Sequence, residues 1–143
     1  MGTDDGLLQV TEDDGAHWRK IDHFPGVPDT TFVSRVTPSA FDINTVYAAF
    51  DNHKAGDFKP YLLKSTDLGR TWTSIVGDLP QTGTAYTIIE DVKDPQLLFV
   101  GTEFGLYYTA NGGRQWSRGW YNLPNGQFYH IAVDNRSPYW IYG

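Results

Sequence analysis

The sequence has 143 residues, with 11 Lys and Arg against 17 Asp and Glu and a formal net charge of −6 at pH 7. This length holds one domain, and an acidic chain without a Lys/Arg run argues against nucleic acid and anionic membranes as partners. With no cysteine, disulfides, Cys-based metal sites and Cys nucleophiles are excluded, and apolar stretches such as 46–50 and 97–100 are far too short to span a bilayer.

Thr3 to Gly6 reads as a turn and Leu7 to Thr11 as a strand. The acidic residues from Asp4 to Asp14 are interrupted by Leu7, Leu8 and Val10, so they read as a solvated face and loop. Trp18 to Asp22 is a second strand, and the Pro- and Gly-rich run Phe24 to Asp29 marks a boundary. Strands are expected over Phe32 to Val36 and Thr45 to Phe50, with Pro38 and the Asp42 to Asn44 turn between them. Tyr61 to Lys64 and Thr73 to Val76 follow, and the order returns after Gly77-Asp78-Leu79-Pro80 with Tyr86 to Glu90, Gln96 to Gly101 and Leu106 to Tyr108. Gln127 to Val133 and Tyr139 to Tyr142 begin a further repeat. Aligning Pro138 to Gly143 with Gln96 to Gly101 makes Trp140 a core residue in place of Leu98, and Gly2-Thr3 aligns with Gly101-Thr102.

An eight-residue stretch punctuates this order three times: Thr11-Glu12-Asp13-Asp14-Gly15-Ala16-His17-Trp18, Ser65-Thr66-Asp67-Leu68-Gly69-Arg70-Thr71-Trp72 and Thr109-Ala110-Asn111-Gly112-Gly113-Arg114-Gln115-Trp116. Asp or Asn accepts backbone N–H groups just ahead of it, Gly supplies a positive φ, and Trp restarts the outgoing strand. Trp72 and Trp116 are 44 residues apart, and Asn122-Leu123-Pro124 echoes Asp78-Leu79-Pro80 at the same distance. Trp18 and Trp72 are 54 apart, which places an insertion of ten residues around Asp51 to Pro60.

These three stretches resemble the Asp box, or bacterial neuraminidase repeat, which joins the third and fourth strands of β-propeller blades in sialidases, xyloglucan-hydrolysing propellers and sortilin-type receptor domains. Asp57-Phe58-Lys59-Pro60-Tyr61 and Leu98-Phe99-Val100-Gly101-Thr102-Glu103-Phe104-Gly105-Leu106 resemble the sortilin-like branch. The resemblance implies an all-β propeller of four-stranded antiparallel blades, with about three blades' worth in a single module over 1–143. A half-blade over 1–24 supplies the last two strands, blades cover 32–80 and 85–124, and a half-blade over 127–143 supplies the first two. It also implies secreted or periplasmic relatives, whereas Gly2-Thr3-Asp4-Asp5 carries neither the basic start nor the apolar core of a signal peptide.

Asn111 keeps the acceptor oxygen but not the charge, so the turn role survives where metal or acid–base chemistry would not. Asp13, Gly15, Trp18, Asp67, Gly69, Trp72, Asn111, Gly113 and Trp116 are therefore read as structural. Asp51, His53 and Asp57 have ligand-type side chains at irregular spacing, so no metal or other cofactor is expected. Glu90, Asp91 and Glu103 have the carboxyls a glycosidase needs, but strand-end and loop charge is the commoner use. Arg70 and Arg114 occupy variable slots of the boxes. Trp120 and Tyr121 offer an aromatic platform or packing bulk. Arg35 and His130 fall at equivalent places in first strands, with Ile88 as the third member, and can line a channel; Glu103 joins Trp120, Tyr121, Arg35 and His130 as the ligand-contact candidates.

The expected function is a non-catalytic module for glycan or peptide binding, or for assembly. Part of a glycoside hydrolase propeller and a purely structural fragment of a larger protein are the alternatives. The expected partner is a second copy that closes a six-bladed ring, or the remaining blades of a larger chain.

Overall fold

The computed structural model describes residues 1–119, 123, 125–134, 136–137 and 140–143. Its strands are β1 (Leu8–Val10), β2 (Arg19–Ile21), β3 (Phe32–Pro38), β4 (Val46–Asp51), β5 (Tyr61–Ser65), β6 (Thr73–Ser74), β7 (Ala85–Glu90), β8 (Leu98–Thr102), β9 (Gly105–Thr109), β10 (Ser117–Arg118), β11 (Ala132–Asp134) and β12 (Trp140–Tyr142), with one 3₁₀ turn at His53–Ala55. All pairings are antiparallel between sequence neighbours, giving sheets β1–β2, β3–β6, β7–β10 and β11–β12. β11 starts five residues later than the Gln127 expected from composition, because Phe128 leaves the sheet to donate its N–H to Thr102 O at 3.1 Å.

Both faces of a complete sheet are apolar. Along β4, Tyr47 and Ala49 pack toward β7–β10, while Ala48 and Phe50 pack toward β1–β2, and all four are buried. The first strand of each complete sheet carries a bulge, at Ser34 and at Tyr86, so Val33 and Val36, and likewise Ala85 and Ile88, lie on one face three residues apart. The strand pairing corrects one equivalence: Arg35 is opposite Ala49 and Thr87 is opposite Gly101, so Thr87, not Ile88, is the counterpart of Arg35. Trp140 is a second correction, since it is 53% exposed while Ile141 packs against Phe99, Leu106 and Ile131.

The three repeated turns share one hydrogen-bond scheme. The leading hydroxyl accepts the Gly N–H, at 2.8 Å for Thr11 and Gly15, 2.8 Å for Ser65 and Gly69, and 3.2 Å for Thr109 and Gly113. The same hydroxyl donates to Asp13, Asp67 or Asn111 Oδ1, which also accepts the N–H four residues on, from His17, Thr71 or Gln115. Gly15, Gly69 and Gly113 have φ of 94°, 75° and 93°. Trp18 and Trp72 each donate their indole N–H to the Gly of their own turn, whereas Trp116 donates to Ile75 O of the preceding sheet at 2.9 Å.

Hydrogen bonds from Thr71 and Ser65 hold the Asp67 carboxyl down at about 2. Its charge therefore stabilises the fold fully above the ordinary value of 3.8, and the contribution is lost as pH falls toward 2. Asp67→Ala is expected to lower Tm at pH 7, and Asp67→Asn, which copies Asn111, to lower it much less. In thermal melts the gap between wild type and Asp67→Asn should close between pH 4 and 2; a pH-independent gap would contradict the assignment.

Candidate functional site

The register divides each sheet into two ends. The repeated turns lie at one, beyond Ser65 and Thr109. The other, formed by Phe32, Asp51 and Tyr61 in one sheet and Ala85, Thr102 and Gly105 in the next, carries the loops between second and third strands and the segments that link sheets.

Tyr86 stands at this second end. Its ring stacks on Tyr129 with centroids 4.3 Å apart and planes at 26°. Burial raises the Tyr86 hydroxyl's pKa, and the Tyr129 hydroxyl and the nearby charges of Glu103 and Asp51 raise it further. Tyr86 is 7% exposed, but Tyr129 is 53% exposed, so the pair offers one open ring backed by a buried one. Trp120 and Tyr121, read from the sequence as an aromatic platform or packing bulk, both lie outside the described residues. The signal for Tyr86 and Tyr129 was the alignment of Gly83-Thr84-Ala85-Tyr86 with Gly126-Gln127-Phe128-Tyr129.

Around this pair, Glu103 is half-buried and its N–H donates to Thr84 O at 3.0 Å. Asp51 is 8% exposed; it accepts the His53 N–H at 2.9 Å, and its carboxylate lies 2.6 Å from His53 Nδ1. Asp57 turns away into its own loop, where it accepts Tyr61 OH at 2.6 Å and Asn52 Nδ2 at 3.2 Å. The Tyr61 hydroxyl bond holds the Asp57 carboxyl below its usual range, while burial and that carboxylate push Tyr61 up to about 12. The described residues contain no cluster of His, Cys, Asp and Glu able to hold a metal ion.

Arg35 lies in β3 and His130 lies ahead of β11, two repeats further on, and no hydrogen bond among the described residues joins either to Glu103. Arg35 Nε is buried without a partner among the described residues, as is Thr84 Oγ1. His17 and His23 lie at the surface against Asp13 and Asp29.

Glu90 and Asp91 are at the opposite end of β7. Glu90 is 6% exposed and accepts Tyr47 OH at 2.8 Å, Ser39 Oγ at 2.8 and 3.0 Å and Ala40 N–H at 2.8 Å, all from the neighbouring repeat. Asp91 accepts the N–H groups of Lys93 and Asp94 at 2.7 and 2.9 Å. The length of β7 separates Glu90 from Glu103, about 17 Å, well beyond the roughly 5–9.5 Å between the two carboxyls of a glycosidase. Glu90 is thus a clamp between sheets.

No family model and no curated protein matches the chain. Solved structures do. A GH74 enzyme of Niastella koreensis is similar at 26% identity and a TM-score of 0.55, over 66% of this chain and 16% of that one. The GH74 xyloglucanase of Xanthomonas campestris is similar at 20% identity and a TM-score of 0.60, over 84% and 18%. YCF48 bound to D1 peptide is similar at 20% identity and 0.61, over 81% and 34%. The chain is a β-propeller. Its complete sheets are blades and its two-stranded sheets are half-blades, so it spans about a third or less of the length of these three chains.

Glu90→Ala strands the Tyr47 hydroxyl, the Ser39 hydroxyl and the Ala40 N–H without an acceptor and is expected to cost about 3 kcal/mol by denaturant titration, with Glu90→Gln costing less. A Glu90→Ala protein as stable as wild type would remove the clamp.

Proposed function

We propose that the chain is a non-catalytic propeller module that binds a glycan or an extended peptide at the blade end carrying Tyr86 and Tyr129. The carrying observation is the open Tyr129 ring, backed by buried Tyr86 and flanked by Glu103 and the Asp51–His53 pair. An aromatic face backed this way supplies a rigid stacking surface for a sugar ring or a peptide side chain, and nearby carboxylates orient hydroxyl or N–H donors.

On this reading the three turns are Asp boxes of a propeller of the sortilin-like or xyloglucanase-like branch, and they brace blades. Glu90 and Asp91 are spent on internal hydrogen bonds, which leaves no acid–base pair from the expected set. A role as part of a glycoside hydrolase is the second reading, favoured by the 26% identity to a GH74 enzyme.

Titration calorimetry with xyloglucan oligosaccharides and with short extended peptides, run beside a reducing-end assay on xyloglucan, separates the two readings. The expected result is binding without release of reducing ends, weakened about tenfold or more by Tyr129→Ala with Tm unchanged. Turnover that Glu103→Gln or Asp51→Asn abolishes would make the chain a hydrolase module.

A further inference from the structure

We propose that a second copy of the chain completes both half-blades: β11–β12 of one copy joins β1–β2 of the other, and the reverse pairing closes a ring. Two copies of three blades' worth give six blades, within the range of about 4–8 that closes a propeller. Pairing the same two surfaces twice gives a two-fold axis.

The register of the half-blades fits this joint. Arg136 N–H donates to Asp134 Oδ1 at 3.0 Å, as Lys93 N–H donates to Asp91 Oδ1 at 2.7 Å, so Asp134 corresponds to Asp91. Val133 pairs with Ile141 as Glu90 pairs with Leu98. Ile141, Tyr142 and Gly143 therefore correspond to Leu98, Phe99 and Val100. At the other half-blade Gly2 bridges Leu8 as Gly101 pairs with Leu106. Met1 and Gln9 exchange two backbone hydrogen bonds of 2.8 Å, as expected of a residue placed like Val100 opposite Tyr107. Met1 thus takes the seat that corresponds to Gly143, and the seats before it on β1, opposite Val10 and Thr11, are those for which Tyr142 and Ile141 have the register. Gly143 of one copy and Met1 of the other share a single seat, the one overlap in the joint.

The side chains fit as well. Trp140 and Tyr142, 53% and 47% exposed, share a face of β12 with rings 6.4 Å apart at 16°. Their direction is that of Phe99, buried to 3% against the next sheet, and of Tyr47, buried to 1% at the same seat in its own blade. The surface that would receive Tyr142 is an apolar groove of about 430 Å³ lined by Val10, Val36, Pro38, Ile43 and Val46. Trp18 adds a separate sign of a missing neighbour. Trp116 is 8% exposed with a sheet in front of it, whereas Trp18 is 51% exposed, with no sheet among the described residues covering it. In the ring, the partner's β7–β10 blade stands there. Open strand edges of this kind recruit strands.

Blades supplied by a longer polypeptide are the competing occupant, and the 143-residue chain alone separates the two. Light scattering after gel filtration should give twice the 16.1 kDa of the monomer. Tyr142→Ala should weaken association about 30-fold or more, as for a central aromatic anchor, with an unchanged circular dichroism spectrum. Because the chain has no cysteine, Val10→Cys combined with Tyr142→Cys should give one oxidised product, a disulfide-linked dimer on a non-reducing gel. A folded 16.1 kDa monomer at tens of micromolar, a dimer indifferent to Tyr142→Ala, or a cross-link within one chain would each overturn the proposal.

Discussion

A sheet with apolar side chains on both faces must be covered twice, and this constraint sets the arrangement of the whole chain. β4 buries Tyr47 and Ala49 on one side and Ala48 and Phe50 on the other, so neither complete blade is stable without a neighbour on each side. The three box tryptophans track the cover available. Trp18, at the open side, is 51% exposed, Trp72 packs with Phe24 and Trp116 is 8% exposed in the seam between blades. Glu90 enters such a seam satisfied, with four hydrogen bonds from the preceding blade.

Much of the fold was legible because the repeat is written in side-chain chemistry that has few alternatives. A hydroxyl, an Asp or Asn, a Gly at positive φ and a Trp at fixed spacing define a turn whatever surrounds it, and the strands on either side then follow in order. The site was less legible. Position along the repeat aligns Ile88 with Arg35, but both blades carry the bulge at the same place, and the pairing sets Thr87 opposite Gly101 as Arg35 lies opposite Ala49. Trp140 is also off by one: aligning Pro138 to Gly143 with Gln96 to Gly101 puts it in the place of Leu98, while the pairing of Asp134 with Trp140 turns it outward and gives the core seat to Ile141. Glu90 read as a surface carboxylate because nothing local announces that Tyr47 and Ser39, more than forty residues earlier, will reach it.

The insertion after β4 follows a different rule from the repeats. Asp51 bonds His53, and Asp57 bonds Asn52 and Tyr61, so local hydrogen bonds order the loop. Such a loop can be added at the blade end away from the boxes without disturbing the seams.

The bulges show where chemistry can change at least cost to the fold. Because Val33 and Val36, or Ala85 and Ile88, both serve the preceding sheet, the residue at the bulge between them is released from the alternation that fixes its neighbours. Ser34 and Tyr86 occupy that place in the two complete blades, and counting back from Asp134 as from Asp91 puts Tyr129 there in the half-blade. Small, aromatic and exposed residues are all accepted at one position of one repeat, which the packed positions beside it do not allow. The stack of Tyr86 on Tyr129 links the bulge of β7 to the corresponding position ahead of β11, so a surface for recognition is built from positions that the core leaves free.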